Sequence, residues 1–178
     1  MEWNIYKKKE KNLINLQRRI KQMKVLAIDP STKSTGWCIY DTEENEVLEH
    51  GTIKLISPNT INRIIVIRNR IKEIIRLWKP EMVAIEELAI TRNASTFKVL
   101  AGLQIQLEII CADRELLYIL VRPSQWRSTI GINGKERKEL KQNAIDYVIR
   151  KHGIKVNEDE ADAICIGEYI KSLNIEEE

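Results

Sequence analysis

The stretch KVLAIDPSTKSTGW, Lys24 to Trp37, constrains this chain more than any other. Val25-Leu26-Ala27-Ile28 is continuously apolar and offers no polar face to water, so it suits a central strand covered on both sides. The run stops at Asp29-Pro30 and a polar turn of Ser31, Thr32, Ser34, Thr35 and Gly36. A second apolar run, Trp37-Cys38-Ile39-Tyr40, follows at hairpin distance. A carboxylate therefore stands where a buried strand ends. Burying a lone carboxylate is costly unless a cation or hydrogen-bond donors meet it. On this stretch alone two readings of Asp29 are open: a functional acid, or a turn cap of the kind Asp before Pro commonly makes.

The same grammar recurs downstream. Glu46 to Ile56 alternates as a third antiparallel strand. Pro58-Asn59-Thr60 opens a helix in which Ile61, Ile64, Ile65, Ile71, Ile74, Ile75 and Trp78 recur at helical spacing, until Lys79-Pro80 stops it. Met82-Val83-Ala84-Ile85 is another buried run, and it ends in Glu86-Glu87. After a loop over 88–93, Ser95 is the expected N-cap of a helix reaching about Asp113. Gly102 inside that helix costs about 1 kcal/mol relative to Ala and suits close approach of another helix. Leu116 to Val121 reads as a fifth strand, Arg122 to Lys135 as a loop, and 136–151 and 158–173 as helices. The order β-β-β-α-β-α-β-α-α implies an α/β fold: a mixed five-stranded sheet, three antiparallel strands and then alternating helices and strands, with helices on its faces.

The chain's 178 residues suit one domain with a sizeable core. The expected organisation is a basic arm over 1–22, a folded domain over 23–174 and an acidic tail over 175–178. Met23, directly before the first strand, could serve as an alternative start. No apolar run approaches a membrane span, and no hydrophobic stretch follows the basic N-terminus as in a signal peptide. The expectation is a cytoplasmic protein with no membrane partner. Cys38, Cys111 and Cys165 are odd in number, widely spaced and set in apolar runs, which reads as reduced core residues. Zinc is not expected, because no paired cysteines occur and His50 and His152 stand alone.

Net charge is only +3, but it is segregated. Residues 1–22 hold seven basic side chains against two acidic, and 114–155 hold ten against four. From Glu158 onward, eight acids face one lysine. An anionic partner near the middle segment would explain this, and so would solvated helix faces.

The closing helix begins Asn157-Glu158-Asp159-Glu160-Ala161-Asp162-Ala163. Asp159 and Asp162 share a helical face. Acids also favour helix N-termini, and Asn157 with Glu160 makes a capping box, so this region alone reads as structural. Together the pieces say more. Asp29 and Glu86 end strands that a mixed sheet can make neighbours, and a helix packed across them can add Asp159 and Asp162. Four such carboxylates repel unless hard divalent cations bind them. Two ions of that kind can clamp the attacking water and leaving oxygen of a phosphodiester displacement.

DPSTKSTGW, AIEE and DEADA, in that order and at these spacings, resemble the RuvC-type Holliday-junction resolvases of the ribonuclease-H-like superfamily. The resemblance runs from about Met23 to Leu173. It implies a crossover-junction endodeoxyribonuclease with Asp29, Glu86, Asp159 and Asp162 as catalytic metal ligands for Mg²⁺ or Mn²⁺, two ions per site. It also implies a homodimer that nicks opposed strands of a four-way DNA junction and leaves 5′-phosphate and 3′-hydroxyl ends. Glu87 is expected outside the site, because strand alternation turns it to the other face. Lys135, Arg137 and Lys138, with Arg122 and Arg127, are the expected DNA-binding residues, while Trp126 either stacks on a base or packs in the core. Two departures stand out. Ser31 replaces the family's usual glycine, and Leu88, Ala89 and Ile90 stand where members often carry an aromatic wedge, the nearest aromatic being Phe97. Rival readings are a resolvase-like protein that only binds nucleic acid or acts in RNA processing, and an actin-like nucleotide-binding protein. The last needs a second Asp-centred phosphate loop, which this chain lacks.

Overall fold

The structure is a computed structural model that describes residues 22–89 and 93–173. Nearly all of the basic arm, the loop residues 90–92 and the acidic tail lie outside the described residues.

Strand β1 (Lys24–Asp29) takes the centre of a five-stranded sheet because both of its faces are apolar. Val25 and Ala27 point to one side, Leu26 and Ile28 to the other, and all four are fully buried. β2 (Ser34–Asp41) and β3 (Glu46–Lys54) continue from it as an antiparallel meander. On the opposite side β4 (Met82–Glu86) pairs parallel to β1, and β5 (Leu117–Val121) pairs parallel to β4. The order is β3-β2-β1-β4-β5.

Helices cover both faces. α1 (Thr60–Trp78) and α2 (Ala94–Ala112) pack on the Leu26 and Ile28 side through Ile67, Ile71, Leu103 and Leu107. α3 (Pro123–Ile130), α4 (Arg137–His152) and α5 (Glu158–Ser172) cover the Val25 and Ala27 side. α5 is buried along most of its length, from Ala161 to Ile170. Gly167 makes this close packing possible, because a Cβ there would stand 2.8 Å from the Cβ of Tyr40 on β2.

Helix α3 occupies what reads in sequence as a loop. Pro123 and Gly131, the residues that suggest a loop, are instead its boundaries. Proline suits the first helical turn, and Gly131 at φ 77° closes the helix in the left-handed conformation. The cap of α2 also lies two residues before the expected one: Asn93, not Ser95, accepts the Thr96 N–H at 3.0 Å. Among the described residues, nothing outside its own stretch of helix comes within 4 Å of a Cβ built at Gly102, so the close approach expected there is not made by another described helix. α2 is, by length and composition alone, long and apolar enough to cross a membrane, contrary to expectation. It packs against the sheet through Leu103, Leu107, Ile110 and Cys111 and leaves Ile105 and Ile109 outward. The three cysteines are free and buried.

Candidate active site

Register brings the first two acids together. Ile28 of β1 pairs with Ile85 of β4, so Asp29 and Glu86 end adjacent parallel strands. Alternation places both on the face of Ala27 and Ala84, beneath α3, α4 and α5. The antiparallel pairing of β1 with β2 sets Gly36 opposite Asp29. A Cβ at Gly36 would come 1.9 Å from the Asp159 carbonyl oxygen, so only glycine lets the N-terminus of α5 lie directly on the strand.

The capping work at that N-terminus is done by neighbours of the acids. Asn157 accepts the N–H groups of Asp159 and Glu160, and the Glu160 carboxylate accepts the Asn157 N–H at 3.1 Å. Asp159 and Asp162 are thereby left to face Asp29 and Glu86. Capping and site thus coexist in one motif. The Ser34 hydroxyl donates to the Asp159 carboxylate and orients it.

The four acids line one cleft of about 500 Å³, together with Ser31, Ser34, Arg127, Arg137 and Lys141. The Trp126 indole N–H donates to Glu86 Oε1 at 2.9 Å, and its ring is fully buried. Arg127 lies over that ring, 4.6 Å from its centroid, and reaches within 3.9 Å of Glu86 Oε1 and 3.8 Å of Asp162 Oδ2. The Lys141 ammonium stands 2.5 Å from Asp162 Oδ2 and 3.6 Å from Asp29 Oδ2.

Even with two cations so close, the cluster carries surplus negative charge. Burial, followed by repulsion from Glu86, pushes the Asp29 carboxyl up to about 8. Burial lifts Asp162 to about 6 against the pull of Lys141, and it raises Glu86 as well. An all-oxygen donor set short of positive charge suits a hard divalent cation. As they stand, the acids are not closed into a cage: among the described residues no three His, Cys, Asp or Glu side chains converge tightly enough to hold an ion.

Of the expected DNA-binding residues, Arg127 and Arg137 line the cleft. Arg122 turns away and pairs with Glu87 at 3.0 Å. Lys135 and Lys138 are exposed at the start of α4, outside the cleft lining. Contrary to expectation, Glu87 also lines the cleft, but its carboxylate goes to Arg122, and its N–H donates to the Val121 carbonyl at 2.8 Å. Trp126 packs in the core, and its N–H also fixes a site acid. Sequence reasoning missed Lys141 and Ser34. The signal for Lys141 was present, because it shares the helical spacing of Ala144 and Val148, both buried, so a lysine sits on the inward stripe of α4.

Residues 25–168 match the family described as crossover junction endodeoxyribonuclease RuvC. Among curated proteins bearing that description, the one from Thermomicrobium roseum is 23% identical over 160 residues, 86% of this chain and 98% of its own. The one from Rickettsia akari is 29% identical over 147 residues, 81% of this chain and 94% of its own. Among solved structures, Thermus thermophilus RuvC in complex with a Holliday junction superposes with a TM-score of 0.69 at 20% identity, covering 83% of this chain and 92% of that one. A Fowlpox virus resolvase bound to Holliday-junction DNA gives 0.56 at 14% identity over 85% of this chain and 99% of that one. Both share the ribonuclease-H-like arrangement of sheet and helices.

Proposed function

Because the chain belongs to the RuvC family of crossover junction endodeoxyribonucleases, we propose that it hydrolyses phosphodiester bonds of four-way DNA junctions, with Asp29, Glu86, Asp159 and Asp162 holding two Mg²⁺ or Mn²⁺ ions. The observation that carries this reading is the convergence of those acids, from two strand ends and one helix start, on a single cleft edged by Arg127 and Arg137. The chemistry a bound divalent cation supplies is Lewis acidity toward a phosphoryl oxygen and a more acidic water.

The chain's own side chains do the positioning. Trp126 sets the rotamer of Glu86, and Ser34 sets that of Asp159. The buried strand ends give Asp29 and Glu86 little freedom, so these two acids are held in place before a phosphate arrives. Arg127 and Arg137 are placed to meet non-bridging phosphate oxygens at the cleft mouth, where guanidinium forks bind two oxygens at once. The products would carry 5′-phosphate and 3′-hydroxyl ends.

A twofold dimer would present two such sites to the two opposed strands of a junction. The outward face of α2, with Phe97, Ile105 and Ile109 exposed and Gly102 open, is the surface proposed for it. The basic arm over 1–22 is proposed to add salt-sensitive DNA affinity to the nuclease domain over 23–174, with 175–178 as an acidic tail. With Leu88 and Ala89 in place of an aromatic wedge, junction opening is the step on which this chain should differ from relatives that carry one.

The test is a cleavage assay on four-way junction, fork, flap and RNA–DNA hybrid substrates in Mg²⁺ and in Mn²⁺, with light scattering alongside. Paired nicks in the junction by a dimeric protein, abolished by Asp29→Asn, are expected. Junction binding without cleavage in either metal would leave a binding protein, and preference for the hybrid would move the substrate to RNA.

A further inference from the structure

The Lys141 ammonium is the most deeply placed cation of the cluster. Its side chain is 12% exposed, against 25% for Arg127, and it lies nearer Asp162 than the Arg127 guanidinium does. It reaches that position from α4, a different element from any that carries the acids. One end of its stem is fixed by the inward stripe of Ala144 and Val148, yet four rotatable bonds separate the ammonium from the backbone. Asp162 is 2% exposed, so its charge is barely reached by solvent and must be answered by protein. Among the described residues no three acids close on one point, and the ammonium stands between two of them.

We propose that Lys141 is a displaceable internal counter-ion of the acidic cluster: its ammonium holds Asp29 and Asp162 in place, and it must leave Asp162 for a divalent cation to take that carboxylate. Lys141 is thus a positioning residue that sets the concentration at which the metal binds. This rests on the reading of the four acids as metal ligands. The physics is competition. A cation already bonded to a ligand leaves the site receptive for only a fraction of the time, and the apparent dissociation constant rises by the inverse of that fraction. An ammonium seated nine-tenths of the time weakens the metal about tenfold. A compact, singly charged group on a flexible stem suits this task, since it can satisfy two buried carboxylates and still swing away. Arginine, with its wide planar fork, cannot vacate the same space as readily.

The experiment is Mn²⁺ binding to the DNA-free protein, followed by calorimetry and by the loss of the free-ion EPR signal, for the parent, Lys141→Met and Lys141→Arg. Lys141→Met is expected to bind Mn²⁺ about tenfold more tightly, while its melting temperature in EDTA falls. Lys141→Arg should bind no tighter than the parent. A purely structural lysine would lower the melting temperature of Lys141→Met and leave Mn²⁺ affinity unchanged or weaker, and that result overturns the proposal. Should Lys141→Met not fold, the parent decides the matter. The slowly exchanging Nζ–H signal of Lys141, assigned by its absence in Lys141→Arg, should disappear as Mg²⁺ saturates the site. Its persistence at saturation refutes displacement. If the parent binds no Mn²⁺ at all, the metal-ligand reading falls and this proposal with it. If the parent binds and Lys141→Met binds no better, only the role of Lys141 falls.

Discussion

The two ends of helix α5 carry buried carboxylates in opposite circumstances. At its start, Asp162 shares a pocket with Asp29, Glu86 and Asp159, and burial with mutual repulsion raises Asp29 to about 8 and Asp162 to about 6. Nearer its end, Glu168 is equally enclosed at 3% exposure, but every oxygen is answered. Tyr40 donates its hydroxyl at 2.7 Å, His152 Nε2 lies at 2.7 Å, and the Lys151 ammonium bonds the second oxygen. Although burial works against its charge, those bonds hold Glu168 down to about 2. One helix therefore contains a carboxylate whose partners hold its charge and staple α4 and β2 together, and an acid, Asp162, whose crowded cluster holds more carboxylates than its two nearest cations offset. Burial alone does not mark a functional acid. What separates the two is whether the fold supplies enough donors and cations.

The comparison breaks most sharply under substitution of the site acids. Asp29→Asn should lower junction cleavage by roughly a thousandfold or more, since acids acting on one centre fail as a unit. Glu86→Gln and Asp162→Asn should do the same, and double variants should add little further loss. Binding of junction DNA in Ca²⁺, read by gel shift, should hold or strengthen. Glu168→Gln should leave cleavage within a few-fold of the parent but cost roughly 3 kcal/mol in urea unfolding, because Lys151 and His152 lose their buried partner. If Glu168→Gln abolished cleavage in a folded protein, the two ends would not be separable.

A divalent cation should sharpen the same contrast. Mg²⁺ is expected to raise the melting temperature of the parent and of Glu168→Gln, and to leave Asp29→Asn and Asp162→Asn nearly unmoved. Equal shifts in all four would place the ion elsewhere.

The pH dependence should run in opposite directions. A carboxyl with a raised folded-state pKa binds its proton more tightly in the folded chain, so it costs nothing below the unfolded value and costs progressively more as pH rises toward about 8. In EDTA, the stability advantage of Asp29→Asn over the parent should therefore grow between pH 5 and pH 8 and then level. Glu168, with its lowered value, contributes stability that is fully present above its unfolded pKa and is lost as pH falls toward about 2. The gap between Glu168→Gln and the parent should close below pH 4.5. Urea titrations across that range measure both slopes.

The smallest effect is expected at Glu87. Its pairing with Arg122 is solvent-exposed and worth well under 1 kcal/mol. Glu87→Gln should cleave within about threefold of the parent, although it adjoins Glu86 in sequence.

Much of this protein was determined by its sequence. Alternation and apolar runs were enough to place all five strands and the helices on both faces, because burial on one or both sides leaves a period that can be read directly. The acids at the strand ends were legible because a carboxylate that interrupts an apolar run is conspicuous, whereas Asp159 and Asp162, in a stretch that alone reads as a capped helix start, stood out only together with them and through the resemblance. The Pro123–Ile130 helix was not legible, since its proline and glycine carry the same local meaning at a helix boundary as in a loop. Arg127 and Arg137 were among the basic residues named from the sequence, but which of the remaining ones reach the cleft was decided by the tertiary structure. Charge along the chain made Lys135 and Lys138 prominent, yet they point to solvent, while Arg127 and the unremarked Lys141 enter the carboxylate cluster. A side chain's reach into a site depends on how its helix is rotated and docked against the sheet. That docking is set by long-range contacts such as Gly36 beneath Asp159 and Gly167 against Tyr40, which no local pattern records.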